Sequence, residues 1–186
     1  MNKQELREAY KQKRKKLALE EAGRMSALIV AHILDFLKEH PEWKHVHIYL
    51  PIQKNKEVDT FSLYESLNKK GYTLYTSLVS GEKLLTLDIS GGVKIVEDYL
   101  GIPLPTEQKV VSPKEIQLVI VPLLAVDRQG HRLGYGKGYY DRFFEELDDQ
   151  VYKLGLSFFA PVDSIAAESH DVALDACVFP EGVVEF

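Results

Sequence analysis

Arg132, Lys137 and Asp141 stand around three alternating glycines in the stretch Arg132-Leu133-Gly134-Tyr135-Gly136-Lys137-Gly138-Tyr139-Tyr140-Asp141-Arg142. Glycines at alternate positions let a backbone turn sharply and approach a ligand closely. Successive N–H groups in such a loop make a nest for an anion, typically a phosphate. The residues after Gly138 can start a helix, whose N-terminus favours the same anion. Arg132 and Lys137 offer cations to phosphate oxygens, and Asp141 can hold a magnesium ion that bridges them. Two familiar phosphate loops are excluded. Gly138, not Ser or Thr, follows Gly136-Lys137, so this is not a Walker A loop. The spacing is G-x-G-x-G rather than the G-x-G-x-x-G of a dinucleotide fingerprint. A turn of this composition can also be a mere tight connection, so its chemistry depends on what the rest of the chain brings to it.

The other cations that could meet an anion lie near the N-terminus. Lys3, Arg7 and Arg14 are spaced i, i+4 and i+11, which puts them on one face of a helix. Such a face is either solvated or a cationic wall turned towards a polyphosphate. Glu57 precedes Asp59-Thr60, either of which can cap the helix that follows. His45 and His47 share one face of a strand, but two histidines without a third ligand do not make a metal site. Further on, Glu168-Ser169-His170-Asp171 adds carboxylates.

These groups must be carried by an α/β framework. Residues 2 to about 19 read as a basic helix, with Asn2 and Glu5 in a capping-box pattern and Leu6 and Leu17 seating it on the body. A second helix is centred on Ala27 to Leu37, with Leu28, Ala31, Leu34 and Leu37 as its stripe, widened by Ile29, Ile33 and Phe36. Strands are expected over His45–Ile52, Tyr72–Leu78, Lys83–Asp88, Ile116–Leu124 and Val151–Phe159, and helices over Phe61–Lys70 and Tyr139–Leu147. The apolar run 117–124 suits a buried strand of a mostly parallel sheet. With 186 residues, one domain spanning 1–186 is the expectation. The net charge of −5 argues against a general nucleic-acid binder. One cysteine, Cys177, allows no intrachain disulfide and fits a reducing compartment. No apolar run has the length of a membrane span, so a cytoplasmic protein without membrane or nucleic-acid partners is expected.

Asp127, Gly130 and the string Arg132 through Arg142 closely resemble the signature of the 5-formyltetrahydrofolate cyclo-ligase (5,10-methenyltetrahydrofolate synthetase) family, and the resemblance runs nearly end to end. It implies a three-layer α/β/α domain with an N-terminal helical pair, acting as a monomer on small molecules. The implied reaction is closure of 5-formyltetrahydrofolate to 5,10-methenyltetrahydrofolate, driven by ATP and Mg2+. The resemblance places Lys3, Arg7, Arg132, Gly134, Tyr135, Gly136, Lys137, Gly138, Tyr139 and Tyr140 on ATP. It places Leu50, Glu57, Tyr135 and Tyr140 on the folate, and Asp141 and Asp171 on the metal. Lys137, Arg132 and Tyr140 are the expected catalytic groups. A different ATP-dependent enzyme on a small acid would keep the glycine loop, Lys3 and Arg7 but lose Glu57 and Tyr140 as folate contacts. A non-catalytic binding module would break the phosphate or metal set, and here every member of it is present.

Overall fold

The computed structural model describes residues 2–186. Helix α1 (Lys3–Lys16) starts with the expected capping box: the Glu5 amide donates to Asn2 Oδ1, and the Asn2 amide donates to Glu5 Oε2, both at 2.9 Å. Helix α2 runs Leu19–Glu39. The chain continues through β1 (His45–His47), α3 (Phe61–Lys69), β2 (Thr73–Ser80), β3 (Lys83–Asp88), β4 (Ile95–Glu97), β5 (Pro103–Pro105), β6 (Lys109–Val111) and β7 (Leu118–Pro122). It ends with β8 (Ala125–Val126), β9 (Arg132–Leu133), α4 (Tyr139–Glu145), β10 (Tyr152–Leu156), β11 (Ala176–Phe179) and β12 (Gly182–Glu185).

Eight strands form one sheet in the order β12-β11-β10-β7-β1-β2-β3-β6. The five from β11 to β2 are parallel; at one edge β12 pairs antiparallel with β11, and at the other β3 pairs antiparallel with β2 and β6 antiparallel with β3. The crossover β1-α3-β2 packs Leu63 and Leu67 on one sheet face, together with Ile29, Ile33 and Leu37 of α2. The crossover β7-α4-β10 packs Phe143 on the other face, against Val119, Val121 and Cys177. Helices therefore cover both faces, as expected for three layers. The expected N-terminal pair of helices is present, and its two members sit in different places. Leu6 and Tyr10 of α1 pack with Leu124, Ala125, Leu133 and Ile165, beyond the end of the sheet, while α2 lies flat on it.

Two expected elements differ in detail. In α2 the buried positions are Ser26, Ile29, Val30, Ile33 and Leu37, and Leu28 is 39% exposed. A strict three-residue repeat drifts about 60° per step against a 3.6-residue turn, so Leu28 and Leu37 cannot share a face. Strand β1 stops at His47, not Ile52. Ile48 still donates to the Tyr75 carbonyl at 2.8 Å, but beyond it the backbone turns to side chains: Thr60 Oγ1 donates to the Tyr49 carbonyl at 2.6 Å, and the Ile52 amide donates to Glu57. Pro51 has no N–H to continue a ladder. At the start of α3 the Asp59 carboxylate, rather than Thr60, accepts from the Phe61 amide at 2.9 Å.

Candidate active site

Neighbouring strands β1 and β7 lead to crossovers in opposite directions, β1 to β2 on one side and β7 to β10 on the other. Ligands of open α/β sheets bind outside the carboxyl ends of strands at such a switch point. The segment after β1 carries Leu50 and Glu57. The segment after β7 carries the β8–β9 hairpin and the glycine loop. The hairpin is shaped by the buried Asp127 carboxylate, which accepts from the amides of Gln129 (2.9 Å), His131 (3.0 Å) and Ile165 (2.9 Å).

The loop 134–138 joins β9 to α4. Gly136 has φ +89 and Gly138 φ +66, backbone that side-chain-bearing residues avoid. A Cβ on Gly136 would stand 3.2 Å from Arg7 Cζ, so glycine lets the Arg7 guanidinium lie against the loop. Arg7 Nε donates to the Gly134 carbonyl at 3.1 Å. The Lys3–Arg7–Arg14 face of α1 packs against the body: Arg14 is 4% exposed, and the Lys3 side chain is 17% exposed. Lys3 Nζ meets Asp171 Oδ2 at 2.6 Å and Glu168 Oε1 at 2.9 Å. Burial works against the charge on Lys3, but its two carboxylate partners outweigh it and raise its pKa. Burial likewise opposes the Asp171 charge, and the Lys3 hydrogen bond and the Glu168 amide hold its pKa below the usual carboxylate value.

Arg132 is paired in the same way. Its guanidinium meets Asp141 Oδ1 at 2.7 Å and donates to the Val172 carbonyl, and the Val172 amide donates to the same Asp141 oxygen at 3.1 Å. Residues 168–172 are therefore tied to α1 by Lys3 and to α4 by Asp141. Lys137 is exposed on the loop. The Tyr139 ring turns away, its hydroxyl donating to the Gly81 carbonyl in the β2–β3 turn at 3.3 Å, which leaves its backbone nearer the loop.

Glu57 accepts from the Ile52 amide through Oε2 and from the Tyr135 hydroxyl through Oε1, both at 2.8 Å. Burial raises its pKa above the ordinary value, held back by these two donors and by the charge of Arg14. The Tyr140 ring stands edge-on to His47 (6.2 Å between centroids) and Phe143 (6.3 Å), and burial pushes its phenol pKa well up, so it is a neutral hydroxyl. His47 is fully buried and bonded to Ser77 Oγ at 2.6 Å; burial lowers its pKa to about 3, leaving a neutral floor beneath Tyr140. Leu50 is buried among the α2-side core residues. A cavity of about 380 Å3 between Gln53, α3 and the β4–β5 hairpin is lined by none of the expected site residues.

Arg14 adjoins these residues, although only its helical face marks it out in sequence. It donates to the Tyr135 oxygen at 2.8 Å and to the Leu123 carbonyl. Arg142, also not singled out, ties the loop to the β2–β3 turn by donating to the carbonyls of Lys137 (2.8 Å) and Glu82 (2.7 Å).

Residues 1–180 match the sequence profile of the 5-formyltetrahydrofolate cyclo-ligase family. The chain belongs to this family. Its curated cyclo-ligase relatives include one from Mycoplasma pneumoniae, 27% identical and matched over 97% of this chain and 100% of the relative. Another, from Escherichia coli K12, is 32% identical over 70% of this chain and 75% of its own. Among solved structures, the 5,10-methenyltetrahydrofolate synthetase of Aquifex aeolicus superposes with a TM-score of 0.84 at 30% identity, covering 100% of this chain and 93% of that one. The synthetase from Mycoplasma pneumoniae gives 0.79 at 27%, covering 96% and 98%. The cyclo-ligase family is one of ligases, and the mixed α/β fold with its mostly parallel sheet is shared with these synthetases.

A magnesium ion, which the sequence resemblance implies, would need oxygen donors here. Among the described residues no three His, Cys, Asp or Glu side chains form a closed cage. Magnesium is usually held by one or two carboxylates completed by phosphate and water oxygens, and Asp141 and Asp171 suit that arrangement. Among the described residues no helix is long and apolar enough to cross a membrane.

Proposed function

We propose that this chain closes 5-formyltetrahydrofolate to 5,10-methenyltetrahydrofolate, converting ATP to ADP and phosphate with Mg2+. One observation carries the reading: the glycine loop touches Arg7 on one side and, through Tyr135, Glu57 on the other. A single five-residue loop thus adjoins both the cations for a triphosphate and the carboxylate for a pterin.

The chemistry explains the need for ATP. The formyl oxygen belongs to an amide and is a poor leaving group. It attacks the γ-phosphorus, the bond to the ADP oxygen breaks, and an imino-phosphate forms. N10 then attacks the activated carbon, the ring closes, phosphate leaves with the C–O electron pair, and N10 gives up its proton. Phosphoryl transfer asks the protein chiefly for positioning and charge compensation. Lys3, Arg7, Arg132, Lys137 and the loop amides supply the positive side. Magnesium on Asp141 and Asp171 would neutralise phosphate charge when bound. The cations and carboxylates are paired with each other, Lys3 with Asp171 and Arg132 with Asp141, so both partnerships are exchanged when phosphates arrive. Glu57 accepts from the amino-pyrimidinone edge of the pterin. Tyr140, neutral and beside the loop, lines the folate pocket and places the formyl group.

The test is the absorbance of the methenyl product from purified protein with 5-formyltetrahydrofolate, ATP and Mg2+, each omitted in turn. Product that requires all three is expected. ATP binding without product would transfer the loop to a different ATP-dependent reaction.

A further inference from the structure

We propose that Arg14 is a positioning residue for the folate, acting on Glu57 through the Tyr135 hydroxyl. This rests on the reading of Glu57 as the pterin carboxylate. The argument begins with hydrogen-bond direction. A guanidinium only donates, so the Tyr135 oxygen must accept from Arg14 Nη1, at 2.8 Å. The single phenolic proton is then left to point at Glu57 Oε1, also at 2.8 Å. The Ile52 amide holds the other oxygen, Oε2. An ionised carboxylate offers about four acceptor positions. Here one on each oxygen is taken and one on each oxygen remains. Two adjacent N–H donors on the amino-pyrimidinone edge need that same remainder. The chain Arg14–Tyr135–Glu57 thus fixes the carboxylate plane while keeping a bidentate acceptor open.

Packing alone does not explain Arg14. Its Nη2 donates to the Leu123 carbonyl just past β7, yet its Nε is buried without a partner among the described residues. An unsatisfied buried donor is destabilising, and an apolar side chain of similar volume would avoid that penalty. What an apolar residue could not do is orient the Tyr135 proton and offset the burial that works against charge on Glu57.

The experiment measures affinity for 5-formyltetrahydrofolate and, separately, for MgATP. The variants are Arg14→Met, Arg14→Lys, Tyr135→Phe and Glu57→Gln, with Arg14→Met and Tyr135→Phe also placed in the Glu57→Gln background. Arg14→Met and Tyr135→Phe should each weaken folate binding about tenfold, as expected for losing one hydrogen bond to a charged group. In Arg14→Met, ATP affinity should stay within about twofold, and Arg14→Lys should recover part of the folate loss. In the Glu57→Gln background both changes should add less than about twofold, because they act through the carboxylate. If Arg14→Met does not fold, Arg14→Lys and Tyr135→Phe read the same coupling. Equal losses in both backgrounds, or equal losses for ATP and folate, would overturn the role of Arg14 while leaving Glu57 in place. Unchanged folate affinity in Glu57→Gln itself would instead remove the pterin reading, and this proposal with it.

Discussion

The three glycines of the loop look equivalent in sequence, and the structure makes them unequal. Gly134 has no positive φ, and a Cβ there meets nothing within 4 Å. Gly136 has φ +89, and its Cβ would press on Arg7 Cζ at 3.2 Å and Nε at 3.3 Å. Alanine held in such a backbone region costs about 1–3 kcal/mol. The loop is largely exposed, so the free protein can relax into another geometry and lose little stability. The strain is then met on binding, when the loop must regain its shape and Arg7 its place. A penalty of 1–2 kcal/mol is about 5- to 30-fold. Gly136→Ala should therefore weaken MgATP binding about 5- to 30-fold, read by calorimetric titration, while the melting temperature falls only slightly. Gly134→Ala should leave the melting temperature unchanged and cost less MgATP affinity than Gly136→Ala, since its backbone is unstrained and a methyl there meets no protein atom. Gly138→Ala should fall between them: φ is +66, but the atom it meets at 2.9 Å is the flexible end of Arg142. Wild-type affinity in Gly136→Ala, or an equal loss in Gly134→Ala, would refute the idea that this geometry is what binds phosphate.

Other expectations concern pH and reactivity. The raised pKa of Glu57 makes it protonate at a higher pH than an ordinary carboxylate; folate affinity, followed by fluorescence titration, should weaken on the acid side from above about pH 4.5, and Glu57→Gln should remove that limb while lowering affinity about 10-fold or more. The Lys3–Asp171 pair stabilises the fold over a wide window. Asp171, with its lowered pKa, contributes above its unfolded value of about 4 and loses the contribution as pH falls through the folded value; Lys3, with its raised pKa, contributes below its unfolded value of about 10.4 and loses it as pH rises through the folded value. The melting-temperature gap between wild type and Lys3→Met should be flat from about pH 5 to 9 and shrink in stronger acid; a gap that grows in acid would contradict the pairing. Cys177 is fully buried, with its thiol pKa pushed well up by burial, so a thiol reagent should label it only at the rate of unfolding, and rapid labelling of the native protein would place it elsewhere.

Much of this architecture was legible because local signals agreed. The Asn2–Glu5 capping box, the apolar run before Pro122 and the glycine loop each formed where their residues predicted. Short elements were harder. Strands β4, β5 and β6 have three residues each, too few for a period-two pattern to register. The α2 face was rotated because several apolar residues compete for it, and the sheet decides among them. In the site, helical spacing aligned Lys3, Arg7 and Arg14 but carried no information on their partners. Nothing near Arg14 in sequence indicates Tyr135, which is 121 positions away, and nothing near Tyr135 indicates Glu57, which is 78 away. Those contacts follow from the reversal of strand order between β1 and β7, a property of the whole sheet.

The long reach of α1 bears on how the protein is made. Lys3 meets a residue 168 positions downstream, and Arg7 one that is 127 downstream. A ribosome emits the basic helix well before its acidic partners, so that helix spends the intervening translation without its counter-charges. A growing chain can build much of the parallel sheet before then, but not the contacts that tie α1 to residues 168–172. Messages cut short before residues 168–172 should therefore yield fragments that expose a basic, partly apolar helix to the surrounding RNA and chaperones, with no partial activity to retain them.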